Sequence, residues 1–375
     1  MTRLIVEGRH EFTELRVLDP LMRELDTGTH MLVMQLPPGI YLVEAKVPGA
    51  VDERLVCVPD FGELRIGDLT PEIDSPAPLP GVRTYHQSHE DAALKESGRV
   101  HITSTEGNSG HLFIFVRSDG SPRERPPQLS VRTPGRTGRP VAMLEQGVAN
   151  PDAGYCALSL AVSPGTYMLA HEAPGLGWRG QAVFVEEGWQ TQVFIPWDTQ
   201  GVGVERALVT MLPGMGFKPA RGWMYDHVEA ALDGLARGRL VLTDDDEYIL
   251  RHTNDFYENP ILSLISGYGL LTERRFPRWS VDAITERFLH VVPHNPDAHL
   301  LHHLFLQASS QESVHLTDSS VRATFDTPPM FAVGAAALLK MAADDADVVP
   351  ADSWMSELAP VLTGGSVYTR WRLAG

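Results

Sequence analysis

Pro38-Gly-Ile-Tyr41, six residues, then Pro48-Gly49; and again Pro164-Gly-Thr-Tyr167, six residues, then Pro174-Gly175. The form P-G-x-Y-x6-P-G occurs twice, 126 positions apart, and it describes a β-hairpin. Pro presets φ and Gly accepts positive φ, so each Pro-Gly makes a tight turn. The Tyr opens a short strand, and the second Pro-Gly turns the chain back. An apolar run follows each copy, Leu55-Val-Cys-Val58 and Ala182-Val-Phe-Val185. Two copies of one hairpin imply two related β-sandwiches in tandem.

Around the first copy, Met31–Leu36, Ile40–Ala45 and Arg54–Val58 read as strands punctuated by Pro-Pro-Gly, Pro-Gly and Pro-Asp, giving a β-sandwich domain over 1–73. Residues 12–25 fit strand or helix, with Pro20 arguing against one long helix. Residues 74–98 are rich in Pro, Ser and charge without an apolar period. They read as a linker or docking segment, with a short helix near Glu90–Glu96. Around the second copy, six runs read as strands of a second β-sandwich over 99–199: Val100–Ser104, His111–Val116, Tyr155–Val162, Thr166–Ala170, Gln181–Val185 and Thr191–Ile195. A connector spans 200–221.

From 222 to 375 the apolar spacing becomes helical over Tyr225–Arg237, Asp245–Glu258, Pro260–Leu271, Val281–Val292, Asp297–Ala308, Pro329–Ala343 and Ser353–Leu362. Asn259-Pro260, Asn295-Pro296 and Thr327-Pro328 place a capping side chain before Pro, and Ser280 and Asp352 add two further caps. The expected fold is multidomain α+β: two tandem β-sandwich domains followed by an all-α domain.

The chain of 375 residues carries 31 Lys and Arg against 48 Asp and Glu, a formal charge of −17. Such a surface repels a phosphate backbone, which argues against nucleic acid as a partner. No run of 18 apolar residues is present, so no membrane-spanning helix is expected. Glu7, Arg9 and Glu11 interrupt the start too early for a signal peptide. Cys57 and Cys156 sit inside strand-like apolar runs and read as free thiols in a reducing compartment, so the expected location is cytoplasmic.

The candidate chemistry is sparse. His290, His294, His299, His302 and His303 cluster with Asp297, and His299 shares a helix face with His302 or His303. His294, His299 and His303 are the candidate metal ligands, and a metal-dependent hydrolase is one alternative function. Asp244–Glu247 reads as a helix cap rather than a calcium loop, and Asp344, Asp345 and Asp347 as a solvated helix end. No nucleophile elbow, phosphate loop or dinucleotide fingerprint is present, so the expectation is no enzyme and no cofactor. Trp178, Trp189, Trp197, Trp223, Trp279, Trp354 and Trp371 leave a glycan-binding module as a second alternative. Between Arg117 and Pro140 the chain is Pro- and Gly-rich. It carries Arg117, Arg123, Arg125, Arg132, Arg136 and Arg139 against Asp119 and Glu124. This basic stretch in an acidic chain is the expected interaction or cleavage loop, mobile between strands.

The P-G-x-Y hairpins resemble the transthyretin-like or carboxypeptidase-regulatory-like β-sandwiches that accompany many bacterial proteins. Asn259-Pro-Ile-Leu-Ser-Leu264, and the stretch from Pro328-Pro-Met-Phe331 through Val349-Pro-Ala-Asp-Ser-Trp354 to Trp371, resemble helical tails of bacterial conflict-system proteins encoded beside caspase-like or CHAT peptidases. The resemblance implies an adaptor, regulator or cleavable target of such a peptidase, and transfers no functional residue.

Overall fold

A computed structural model describes the chain except residues 70, 106, 119–124, 239–258, 274–287, 310–323, 345–352 and 375. The protein is mixed α+β. Its first seven strands are β1 Thr2–Gly8, β2 Glu14–Leu18, β3 Glu24–Thr29, β4 Met31–Leu36, β5 Gly39–Val47, β6 Ala50–Val58 and β7 Gly62–Leu69. They form two sheets, of order β4-β1-β7 and β3-β2-β5-β6. Leu4, Val6, Leu15, Val17, Leu36, Val43, Val58 and Ile66 from both sheets share one core.

The next seven principal strands are β8 Gly110–Ser118, β9 Leu129–Arg132, β10 Pro140–Met143, β11 Tyr155–Val162, β12 Gly165–Ala173, β13 Gly177–Val185 and β14 Trp189–Asp198. The paths β11-β8-β14 and β10-β9-β12-β13 repeat the first arrangement strand for strand. In both sets the first strand pairs antiparallel with the fourth and parallel with the seventh. Both sets also share the local detail of the repeat. Tyr41 Oη donates to the Pro37 carbonyl at 3.0 Å, and Tyr167 Oη to the Ser163 carbonyl at 2.8 Å. Val47 faces Ala50 across the two-residue turn Pro48-Gly49, whose Gly49 has φ +76°. In the second copy Leu176 lengthens that turn by one residue, so Ala173 faces Gly177.

The ambiguous segment 12–25 is two strands. They meet at a turn where Asp19 Oδ1 accepts from the amides of Leu21 at 2.8 Å and Arg23 at 3.0 Å. That side chain mimics a backbone turn, and so Pro20 falls where no ladder bond is needed.

The Pro-rich stretch 74–98 is docked rather than spacing two domains. Ala77, Leu79 and Val82 belong to the main core, and α1 Gln87–Ser97 packs against β11 and β8. The anchor is Arg117 on β8, only 3% exposed. Its Nε donates to the Pro76 carbonyl at 2.7 Å, Nη1 to the Thr84 carbonyl at 2.7 Å, and Nη2 to the Ser75 carbonyl at 2.6 Å. Proline-rich backbone has few donors of its own, so its carbonyls need an outside partner when buried.

The expected connector 200–221 holds a further strand, β15 Leu208–Pro213, which extends the second copy by pairing with β14. The helices that follow are α2 Gly222–Ala236, α3 Pro260–Glu273, α4 Pro296–Ser309, α5 Ala332–Asp344 and α6 Trp354–Leu358. Asn295 caps α4, its Oδ1 accepting from the Asp297 amide at 2.8 Å. Thr327 caps no helix among the described residues. The start of α5 is held by the carboxylate of Asp297, which accepts from the Met330 amide at 2.6 Å. The expected helices at 245–258 and most of 281–292, with the Ser280 and Asp352 caps, lie outside the described residues.

The expectation of an all-α C-terminal domain needs correction. Arg370–Arg372 forms β16, antiparallel to β13 and so completing the sheet of the second copy. The core is also continuous: Phe113 and Phe194 of the sheets join Met211, Tyr225, Leu264, Tyr268 and Phe305 in one cluster. No helix among the described residues is long and apolar enough to cross a membrane.

Candidate functional site

The basic stretch does not form one mobile loop. Arg117 is the buried anchor described above, its guanidinium drawn down to about 10 by burial against the pull of Asp74 and Glu229. Arg132 lies on β9, between buried Val131 and the loop to β10, with Nε donating to Ser130 Oγ at 3.0 Å. Arg125, Arg136 and Arg139 are exposed, and Arg123 lies outside the described residues. The loop 133–139 is tied at both ends. Arg139 N–H donates to Thr133 Oγ1 at 2.9 Å, and the Arg136 amide to Glu357 Oε1 at 2.6 Å. Trp371 Nε1 donates to the Gly135 carbonyl at 3.3 Å. The loop is thus held by contacts with the C-terminal segment, more than two hundred residues away in sequence, while the strand is set by pairing with β10 and β12.

The histidines do not converge. His294 Nδ1 lies 2.7 Å from Glu186 Oε1, and His299 Nε2 lies 2.7 Å from the Pro293 carbonyl. His303 is buried on α4 and His290 is exposed. Among the described residues no three His, Cys, Asp or Glu side chains gather where they could hold one metal. Asp297 is a buried latch between helices. Burial raises its carboxyl to about 6, against hydrogen bonds from Tyr268 Oη (2.6 Å) and the amides of Met330 and Phe331. Asp244–Glu247, Asp345, Asp347 and Trp279 lie outside the described residues. Trp354 and Trp371 are core residues, and Trp178, Trp189 and Trp197 are half-buried. Cys57 is exposed on β6, whereas burial pushes the Cys156 thiol up to about 12.

A cleft of about 480 Å³ opens where the Pro48-Gly49 turn meets the docked segment and the end of β14. Asp74 pairs with Arg83 at 2.6 Å and Asp198 with Arg206 at 2.5 Å along it. Next to it, a second hollow is lined by Glu229 of α2, Asp233 and Tyr368. Glu229 is pushed up to about 8, first by burial and then by Asp226 and Asp74, against a Ser75 hydrogen bond and Arg117. No histidine or cysteine lines either hollow.

The two β units differ most in what covers them. Tyr41 pairs with Val56, and Tyr167 with Val183. The outward pairs Ile40–Cys57 and Leu42–Leu55 therefore correspond to Thr166–Phe184 and Met168–Ala182. In the second unit Met168, Ala170 and Ala182 lie beneath Leu300, Phe325, Leu338, Met355 and Trp371, all fully or nearly fully buried. In the first unit the same face is bare: Leu55 is 74% exposed and Ile40 58%. Leu21, Met22, Met31 and Phe61 are also exposed on this unit. Sequence reasoning missed this surface. Alternation assigns Ile40, Leu42, Leu55 and Cys57 to one face, but an apolar face reads as core until its cover is known.

No family model matches this chain, and no curated protein does. Two solved structures give weak likenesses. The TIE protein of Bacillus anthracis is 10% identical with a TM-score of 0.17, over 50% of this chain and 31% of that one. A provisionally assigned cell adhesion protein of Bacteroides ovatus ATCC 8483 is 6% identical with a TM-score of 0.19, over 58% of this chain and 98% of that one. This chain thus spans about a third of the first structure's length, and neither likeness bears on function.

Proposed function

We propose that this chain is a non-enzymatic protein-interaction protein. On this reading it is two tandem copies of one seven-stranded β-sandwich followed by a largely helical part. The second copy is built into a frame with the helices. The first meets that frame through Phe12 and Val47 against Ala230 of α2 and through Glu14 against Arg237, and turns the Ile40–Leu55 end of its sheet to a partner. One observation carries the reading: a sheet face that is buried in one copy is open in the other, where Ile40, Leu42, Leu55 and Cys57 form its apolar end. Monomeric proteins seldom leave such a contiguous patch exposed without a binding role.

The resemblance in the sequence supplies the partner class, a caspase-like or CHAT peptidase of a bacterial defence or regulatory system in the cytoplasm. The chain would serve it as adaptor, regulator or cleavable target. The test is a double variant, Ile40→Asp with Leu55→Asp, compared with the unaltered chain for capture of a candidate peptidase. Both side chains are exposed, so the variant keeps its melting temperature and loses the peptidase. Capture that is unchanged by the double variant would refute this surface as the site.

A further inference from the structure

The internal duplication also exposes an edge. In the second unit β13 is closed by β16, Gly180 facing Trp371 and Gln181 facing Arg370. The corresponding strand of the first unit, β6, pairs only with β5 among the described residues. The two-residue turn makes Val47–Ala50 a hydrogen-bonded pair. By alternation the amides and carbonyls of Val51, Glu53, Leu55 and Cys57 point away from β5. An open edge of this length is a template for another strand.

We propose that β6 docks a second copy of this chain, pairing antiparallel with its own counterpart about a two-fold axis through Glu53. The proposal rests on the interaction reading above and names one partner of that unit. The sequence Ala50-Val-Asp-Glu-Arg-Leu-Val-Cys-Val58 is complementary to itself in this register. On the outer side, Val51 meets Leu55 of the partner subunit and Leu55 meets Val51 of the partner subunit. Val51 is 54% exposed and Leu55 74%, so both pairs bury surface now in water. On the side facing the sandwich, Asp52 meets Arg54 of the partner subunit, and Arg54 meets Asp52 of the partner subunit. Within one chain these two pair loosely at 4.0 Å and Arg54 Nη1 reaches the Gly67 carbonyl at 3.5 Å, while each side chain keeps a third or more of its surface in water.

Sliding the pairing by one step either way sets Arg54 against Arg54 of the partner subunit, or Asp52 against Asp52 of the partner subunit. It also opposes Glu53 to an apolar side chain. The charges thus select one register. Glu53 on the axis faces Glu53 of the partner subunit, a like-charge contact that weakens the pairing. The result is one continuous eight-stranded sheet, with the bare faces of both copies side by side.

Sedimentation velocity of the full chain over a concentration series tests this. The unaltered chain shows a concentration-dependent dimer. Arg54→Asp opposes acidic groups at two contacts and weakens it about tenfold, and adding Asp52→Arg restores it. Glu53→Gln removes the axial repulsion and tightens the dimer about threefold. Circular dichroism checks that each variant stays folded, as expected for exposed positions. A chain that stays monomeric at its highest soluble concentration overturns the proposal, as does a charge-swapped double variant no tighter than the single one. Such a monomer that still captures a peptidase through Ile40 and Leu55 leaves the interaction reading intact. A dimer that captures none fails that reading alone.

Discussion

Replacing Trp371 by Ala tests whether the C-terminal strand is part of the second β unit or an appendage of the helices. Trp371 is fully buried, faces Gly180 across the ladder, and donates to the Gly135 carbonyl. A buried Trp removes about 200 Å² from water, which at about 25 cal/mol per Å² is roughly 5 kcal/mol. That is an upper value, because the unfolded chain is already partly compact. Measured losses for Trp→Ala run about 3–5 kcal/mol, so we expect about 4 kcal/mol. The assay is urea unfolding followed by far-ultraviolet circular dichroism and by tryptophan fluorescence. With one continuous core, both probes move together to a lower midpoint. Leu55→Ala on the corresponding bare face is the control, and its exposure predicts a loss under about 1 kcal/mol. A Trp371→Ala loss below about 1 kcal/mol, or one confined to the helical signal, would refute the shared core.

Other outcomes follow from the buried charges. Glu229 has a folded value of about 8, above its usual 4.5, so the folded state holds that proton more tightly. The stability it lends is complete below the unfolded value and is lost as pH rises through about 8. Glu229→Gln should therefore stabilise the chain by about 2 kcal/mol more at pH 8 than at pH 6, measured by urea unfolding at each pH. An equal gain at both values would count against the burial argument. Brief trypsin digestion should cut after the exposed Arg136, which precedes Thr137, well before Arg83, because the docked segment is clamped by Arg117. Arg117→Met should bring the Arg83 cut forward, and mass spectrometry of the first fragments decides it.

The hairpins were legible because Pro-Gly encodes its own turn geometry within four residues. Their strands followed from alternation, as did the helical character of 222–236, 260–273 and 296–309. What failed to show depends on partners distant in sequence. Leu129–Arg132 and Arg370–Arg372 are too short and too charged to declare a strand, and each becomes one only by pairing with an existing sheet. The segment 74–98 has the composition of a linker. Its burial depends on a guanidinium about forty residues away, which no local pattern encodes. Asp297 was grouped with histidines because they adjoin it in sequence, whereas its partners Tyr268, Met330 and Phe331 lie about thirty residues to either side. The exposure of Ile40 and Leu55 depends on what packs above them, and alternation carries no information about that.

The parallel pairing of first and last strands has a mechanical consequence. Thr2 lies beside Gly62 and Gly8 beside Leu69, so the chain enters one end of the first unit and leaves at the other. The same holds for β8 and β14, with His111 beside Gln190 and Ser118 beside Trp197. Tension applied at the ends of either unit therefore slides these two paired strands past each other along their length. All the rungs between them bear the load together instead of opening one at a time. A unit built this way resists stretching between its ends far better than peeling of an edge strand such as β6.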